Sequence, residues 1–184
     1  DAVESERFRN FLDGFPKRYL LTHSQEEIST HYRMSRRLDH AVADISVTKR
    51  DEYYELVIVT KDRPFLFAKL AGTISSWGMN ILKADAFANK NGVVLDALRF
   101  SDRFRTLDYN PSEISRLKQH LVAAISGELD VADLMKRKFQ PEKNPPKVGV
   151  ETRIRLDNEC SSHSTVVEII ALDRPGLLYD ISST

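Results

Sequence analysis

The sequence predicts an α+β protein with the element order β-α-β-β-α-β, the opening part of which recurs near the end of the 184 residues. A gap-free repeat is the first observation behind this prediction. Residues 56–70 and 167–181 each hold a mostly β-branched apolar run, then Asp-Arg-Pro, then an apolar segment at helical spacing. The second observation is an Asn-Gly pair at 91–92, the strongest short hairpin signal, between two further apolar strands. Together they indicate a unit present once in full and once in part.

The repeated stretch begins as a strand and turns into a helix. The run 56–59 is apolar and mostly β-branched, which is typical of a strand buried on both faces. Pro64 suits the first turn of a helix because its φ is fixed and it lacks an N–H, and the carboxylate of Asp62 can accept unpaired helix N–H groups. The predicted helix has one apolar face, formed by Leu66, Leu70, Ile74 and Trp77.

Local signals also predict the rest of the unit. Asn110 can cap a helix in which Pro111 takes the first position and Glu113 reaches back. The predicted elements are strands over 81–88 and 93–100, helices over 110–125 and 131–138, a loop over 140–149 and a strand over 150–157. This is the ferredoxin-like order, with the last strand belonging to the first unit.

Three segments are predicted along the chain. Residues 1–50 form a helical linker segment with a capping-box pattern at 24–27, residues 51–158 form the complete unit, and residues 163–184 start the second copy. The chain begins with Asp1, not methionine, and its acidic start has no signal-peptide pattern. We therefore expect a piece of a longer protein.

Composition and motifs argue against several functional classes. Lys plus Arg and Asp plus Glu are 27 each, so no net charge attracts nucleic acid or an anionic membrane. The sequence lacks phosphate-binding glycine loops, a Gly-x-Ser-x-Gly elbow, an Asp-x-Asp pair and zinc-ligand spacings. Cys160 is the single cysteine, which fits a reducing, cytoplasmic setting. We predict no catalytic residue, metal site or cofactor in this chain.

The Asp-Arg-Pro-Gly-Leu turn at 173–177, in a β-α-β-β-α-β order, resembles the ACT family of small-molecule-binding regulatory domains. Residues 152–159 and 167–181, and the segment 15–20 upstream, are similar to the bacterial PII uridylyltransferase/uridylyl-removing enzymes. The resemblance implies a ferredoxin-like ACT region that follows a catalytic region. It also implies a parent that is both a nucleotidyltransferase and a hydrolase and uses Mg. Such a parent adds UMP to the nitrogen-regulatory protein PII, or removes it, according to the glutamine level.

For the site, the resemblance implies an amino acid bound at the two turns. Helix N-terminal N–H groups would hold its carboxylate, and Asp62 or Asp173 its ammonium group. Pairing of ACT units would place it at an interface, where binding shifts a domain equilibrium. Phe65 stands where the second copy has Gly176, and we expect it to crowd the first turn. The candidate ligand-binding residues are Asp62, Arg63, Phe65, Leu66, Asn80, Asp173, Arg174, Gly176 and Leu177.

Three alternatives stay open. The chain could be an ACT module of another enzyme, such as an amino-acid-pathway enzyme or a stringent-response synthetase. It could be a pure interaction module whose strand edges pair with another ACT unit, and a Phe65 ring that fills the turn would favour this. RNA-binding domains share the element order, but their third strand carries aromatic residues, and the strand 93–100 holds only Phe100.

Overall fold

The structure is a computed structural model that describes residues 2–138, 152–157 and 166–183. The predicted loop at 140–149 and Cys160 lie outside these ranges. The helices are α1 (Ala2–Leu12), α2 (Lys17–Thr22), α3 (Gln25–Arg36), α4 (Leu66–Ser76), α5 (Thr106–Tyr109), α6 (Ser112–Ser126), α7 (Val131–Lys138) and α8 (Leu177–Ser182), with a 3-10 turn at Arg37–Asp39. The strands are β1 (Ala43–Lys49), β2 (Tyr54–Lys61), β3 (Asn80–Ala88), β4 (Val93–Ser101), β5 (Arg153–Asp157) and β6 (Val166–Ile170). None of the helices in these ranges is long and apolar enough to cross a membrane.

Four strands form one antiparallel sheet in the order β1-β2-β4-β3. Because β2 and β3 both run antiparallel to β4 between them, they are parallel to one another, and α4 connects them. This is a split β-α-β unit. The predicted Asn-Gly turn joins β3 to β4, and the N–H of Asn89 donates to the carbonyl of Val93 over 3.0 Å. The predicted α+β class is confirmed.

The place beside β2 in this sheet belongs to β1 and not to the strand predicted at 150–157. β1 pairs with β2 along its whole length, with Ala43 opposite Thr60. The described part of the predicted strand, β5, pairs with β6 instead. The predicted place of that strand is wrong, and the segment 1–50 ends in a strand. β1 comes just before β2 in the chain, so it reaches this edge with a smaller loss of loop entropy than a strand beyond residue 150.

The same order of elements recurs near the end of the chain. β5, β6 and α8 follow one another as β1, β2 and α4 do, at close to the 111-residue offset of the sequence repeat. β5 and β6 are antiparallel, with Arg153 opposite Ile170. The structural repeat therefore begins one strand earlier than the Asp-Arg-Pro motif indicates, at β1 and at β5.

Helices cover both faces of the sheet. On one face lie α4 and α6, with a core that includes Ile58, Leu70, Leu98, Phe100 and Leu121. On the other face lie α1, α2 and α3, with an aromatic cluster that includes Phe11, Phe15, Tyr19, Val59 and Leu95. Single-stranded RNA needs exposed aromatic side chains on which its bases stack. Phe100 is fully buried, which argues against the RNA-binding alternative.

Side-chain hydrogen bonds satisfy the ends of two N-terminal helices, α1 and α3. The amide of Asn89, in the β3–β4 turn, donates to the carbonyl of Phe11 over 2.8 Å. This bond satisfies one of the carbonyls that the end of α1 leaves unpaired. The capping box predicted ahead of α3 is present: Ser24 Oγ accepts from the N–H of Glu27, and the Glu27 carboxylate accepts from the N–H of Ser24. The first bond ties the end of α1 to the sheet, and the capping box fixes the start of α3.

Candidate functional site

Each Asp-Arg-Pro triplet forms a tight turn ahead of a helix. In the first copy the N–H of Leu66 donates to the carbonyl of Arg63 over 3.2 Å, and α4 begins at Leu66 with Phe65 as its N-cap. Pro64 therefore lies ahead of the helix, and no side chain caps the N-cap position. The helix begins later than predicted because Phe65 leaves the right-handed region, with φ 58° and ψ 24°.

The second copy repeats this geometry. The N–H of Leu177 donates to the carbonyl of Arg174 over 3.1 Å, and α8 begins after Gly176. Gly176 has a φ of 80°, in the left-handed region that Phe65 also occupies. Glycine adopts this conformation readily, whereas a residue with a Cβ is strained there by about 1–2 kcal/mol. The two turns thus share one backbone shape, which is strained in the first copy only.

Replacing Phe65 by glycine is expected to stabilise the fold by about 1 kcal/mol, because it relieves this strain. The ring is 62% exposed, so little apolar burial is lost with it. Chemical denaturation measures the change in the free energy of unfolding. Phe65→Ala is the matched control, since it removes the ring but keeps the Cβ. Equal gains in both variants would show that the backbone strain is not the cause.

The first turn opens onto a cavity of about 340 Å³, which we call the Arg63 cavity. Its wall contains the candidate residues Asp62, Arg63, Phe65 and Leu66. Phe67 and Ala68 of α4, strands β3 and β4, and Ser182 of the second copy complete the wall. The Phe65 ring lies on the wall and is mostly exposed, so it does not fill the turn. The volume lies within the range of small-ligand sites.

Asp96, in the middle of β4, is a wall residue of the Arg63 cavity that no motif predicts. It is 1% exposed, and both of its carboxylate oxygens are buried without a hydrogen-bond partner. Nε of Arg63 is buried and unpartnered as well. Burial first, and then the charge of Asp62, raise the pKa of Asp96 to about 7. Among the described residues, no group of three or more His, Cys, Asp or Glu is placed to hold a metal ion.

The second turn opens onto a cavity of about 360 Å³, the Arg174 cavity, whose opposite wall belongs to the first copy. The candidate residues that line it are Asn80, Asp173, Arg174, Gly176 and Leu177. The structure thus brings Asn80, at the start of β3, to the second turn and not to the first. Arg174 also pairs with Asp180 over 2.5 Å, which restrains its guanidinium. Both copies contribute polar groups to this one concave surface.

The two copies are held together where α8 packs on α4. Gly72 of α4 lies at this contact, and a Cβ built on it would come within 2.6 Å of Tyr179 Cδ2 and of Val131 Cγ1. The helices approach this closely because Gly72 has no side chain. Their contact fixes the second turn over the start of β3.

Several curated bacterial enzymes are similar to this chain. The bifunctional uridylyltransferase/uridylyl-removing enzyme of Ruegeria pomeroyi is 33% identical over 121 residues, which are 66% of this chain and 13% of that enzyme. The enzymes of the same description from Bradyrhizobium sp. strains ORS 278 and BTAi1 are each 30% identical over 129 residues, which are 70% of this chain and 14% of each enzyme. This chain is homologous to part of these enzymes.

The homology confirms the predicted relationship to the uridylyltransferase/uridylyl-removing enzymes. It favours this family over the amino-acid-pathway enzymes and stringent-response synthetases considered above. The chain spans only 13–14% of the length of these relatives. No family model matches the chain, and no solved structure matches it.

Proposed function

We propose that this chain is the regulatory ACT region of a uridylyltransferase/uridylyl-removing enzyme and that it binds glutamine in the Arg174 cavity. In this role it makes UMP transfer to and from PII, in the bacterial cytoplasm, depend on nitrogen status. The first ACT unit then begins at β1 and the second at β5. The observation that carries the proposal is a polar cavity built from both copies of the repeat. Homology to part of these enzymes supports the identity of the parent.

The polar groups of the Arg174 cavity complement an amino acid with an amide side chain. The carboxylate of Asp173 can accept the N–H donors of an ammonium group, and the guanidinium of Arg174 has donors left for a carboxylate after pairing with Asp180. The side-chain amide of Asn80 can both donate and accept, as an amide partner requires. Glutamine presents all three groups, so we prefer it to an amino acid with an apolar side chain.

Binding at this place would couple the two copies. Asn80 belongs to the first copy and Asp173 to the second, so a ligand that contacts both stabilises one arrangement of α4 and α8. A ligand shifts a conformational equilibrium by its difference in affinity for the two states. The signal to a catalytic region is then a change in how the copies pack.

Isothermal titration calorimetry with L-glutamine is expected to show binding that Asp173→Asn weakens at least about tenfold. The reason is that a hydrogen bond to a charged group contributes about 1.5–3 kcal/mol. Asp51→Asn is the matched control, because Asp51 is exposed in the turn between β1 and β2 and lines neither cavity. An unchanged affinity in Asp173→Asn would remove this carboxylate from the site and overturn the proposed glutamine site in the Arg174 cavity.

A pure pairing module is the second candidate function, and the contact between α4 and α8 favours it. Gly72 allows the close approach of these helices with or without a ligand. In this case the titration would show no binding of any free amino acid, although the two copies stay packed. Detectable glutamine binding that depends on Asp173 would decide against it.

A further inference from the structure

We propose that the Arg63 cavity is a second binding site, in which Asp96 binds the ammonium group and Arg63 the carboxylate of a small zwitterion. This cavity shares only Phe67 with the Arg174 cavity. The inference rests on the proposed function for the ligand class alone, and the experiment below separates the two.

Asp96 destabilises the fold that contains it. Its side chain is 1% exposed, and neither carboxylate oxygen receives a hydrogen bond. A buried carboxylate without donors is unfavourable, and an apolar side chain at the same place is tolerated better. A residue that destabilises a fold and makes no compensating contact is characteristic of a binding or catalytic site. Packing therefore does not explain this charge, whereas ligand binding does.

The groups around Asp96 do not neutralise it. In the sheet it lies between Ile58 of β2 and Ala86 of β3, neither of which is charged. The other charged residues of the cavity wall are Asp62, which repels Asp96, and Arg63, whose Nε is buried without a partner. Two carboxylates at one cavity favour a cation, and an ammonium group brings three N–H donors. Asp96 is therefore suited to bind a primary amine.

Arg63 supplies the anion-binding half of the site. No hydrogen bond through Nε has to break when its guanidinium turns toward a ligand. A guanidinium binds a carboxylate through two parallel N–H donors, a geometry that also gives specificity. The Phe65 ring, which is largely exposed on the wall, leaves the cavity of about 340 Å³ open. A free α-amino acid carries both of the required charges on one short molecule.

The experiment is a calorimetric titration with a panel of the standard L-amino acids, L-glutamine first. The N-acetyl derivative of each amino acid that binds serves as the probe without an ammonium group. Wild type, Asp96→Asn, Asp96→Leu and Asp173→Asn are compared, and a melting curve without ligand checks that each variant is folded. Both Asp96 variants should melt above wild type, because they remove an unpaired buried charge.

We expect two molecules of amino acid to bind per wild-type chain. Both Asp96 variants should lose one of these events or weaken it at least about tenfold. Asp173→Asn should keep the event that the Asp96 variants lose. The N-acetyl derivative should bind at least about tenfold more weakly at the Asp96 site, because its nitrogen carries no charge.

Wild-type binding in both Asp96 variants would overturn the inference. Equal binding of the N-acetyl derivative would overturn the assignment of the ammonium group to Asp96. If an event is lost in Asp96→Asn while Asp173→Asn matches wild type, the inference holds and the proposed function fails. If a binding event is lost in Asp173→Asn while the Asp96 variants match wild type, the proposed function holds and the inference fails. No binding by wild type would overturn both.

Discussion

Asp96→Asn is expected to stabilise the ligand-free chain by a few kcal/mol above pH 7 and to change its stability little near pH 4. Asp96 is buried in β4, and its pKa is raised from 3.8 to about 7 by burial and by the charge of Asp62. A rise of this size corresponds to a free energy on the order of 4 kcal/mol. Asparagine has no titrating proton, so the variant lacks this pH-dependent destabilisation.

The sign of this pH dependence follows from the number of protons that the folded and the unfolded chain bind. Below about pH 4 the Asp96 carboxyl is protonated in the folded and in the unfolded chain, so it adds no pH dependence. Between pH 4 and 7 the folded chain binds more protons, so the stability of the wild type falls as the pH rises. Above pH 7 the Asp96 carboxyl is ionised in both states, so the stability difference between wild type and Asp96→Asn no longer changes with pH. The other charged groups on the cavity wall are Asp62 and Arg63.

Urea denaturation of the wild type and of Asp96→Asn from pH 4 to pH 8 measures this difference. Asp51→Asn, which removes an exposed carboxylate, is the control and should run parallel to the wild type. In Asp62→Asn the fall in stability should be smaller and end at a lower pH than in the wild type, because Asp62 contributes to the raised pKa of Asp96 in the folded state. A gap between wild type and Asp96→Asn that is equal at pH 4 and pH 8 would contradict the raised pKa.

The parts of the fold that have strong local signals could be predicted from the sequence. The Asn-Gly turn and the buried face of α6, with Leu117, Leu121 and Ile125, follow from turn chemistry and helical spacing. β1 does carry a strand signal, because its residues alternate between apolar and polar. The hairpin after it lacks one, since the turn 50–53 has no glycine, asparagine or proline. Without a hairpin signal to join β1 to β2, the ferredoxin-like order takes the strand at 150–157 as the last strand of the first unit.

In the candidate site, too, only the parts with a local sequence signal could be predicted. The two Asp-Arg-Pro turns are local motifs, and both form turns ahead of a helix. The partners of each turn depend on packing between distant parts of the chain, which a motif does not encode. Asn80 faces the second turn across the contact between the copies, and Asp96 lies in the wall beside the first. The signal that could have indicated Asp96 is an acidic residue that shares a strand face with buried Val94 and Leu98.

Gly72→Val is expected to destabilise the chain by about 1–3 kcal/mol, by separating α8 from α4. A Cβ at this position would come within 2.6 Å of the Tyr179 ring and of the buried Val131 side chain. Valine is a better helix former than glycine, so the backbone of α4 itself gains slightly from the change. The destabilisation therefore comes from overpacking, which forces neighbouring side chains and the backbone to shift.

Chemical denaturation gives the loss of stability, and hydrogen exchange in α8 locates it. Exchange should rise over 177–182 and change little in β2 and β4, which lie in the core of the first copy. Ala132→Val is the matched control, because Ala132 is an exposed helical residue of α7. If Gly72→Val behaves like this control, α8 is not packed against α4 as the structure shows.

A double-mutant cycle assigns the effect to the contact between the copies. Tyr179→Ala removes the ring that the new side chain would meet, so it should relieve part of the destabilisation by Gly72→Val. The destabilisation that remains comes from the contact with Val131, which lies in the first copy. A coupling energy above about 0.5 kcal/mol would show that Gly72 and Tyr179 are in contact in solution. Such a contact is required for the Arg174 cavity, because the cavity has a wall in each copy. Loss of glutamine binding in Gly72→Val, restored in part by Tyr179→Ala, would connect the packing of the copies to ligand binding.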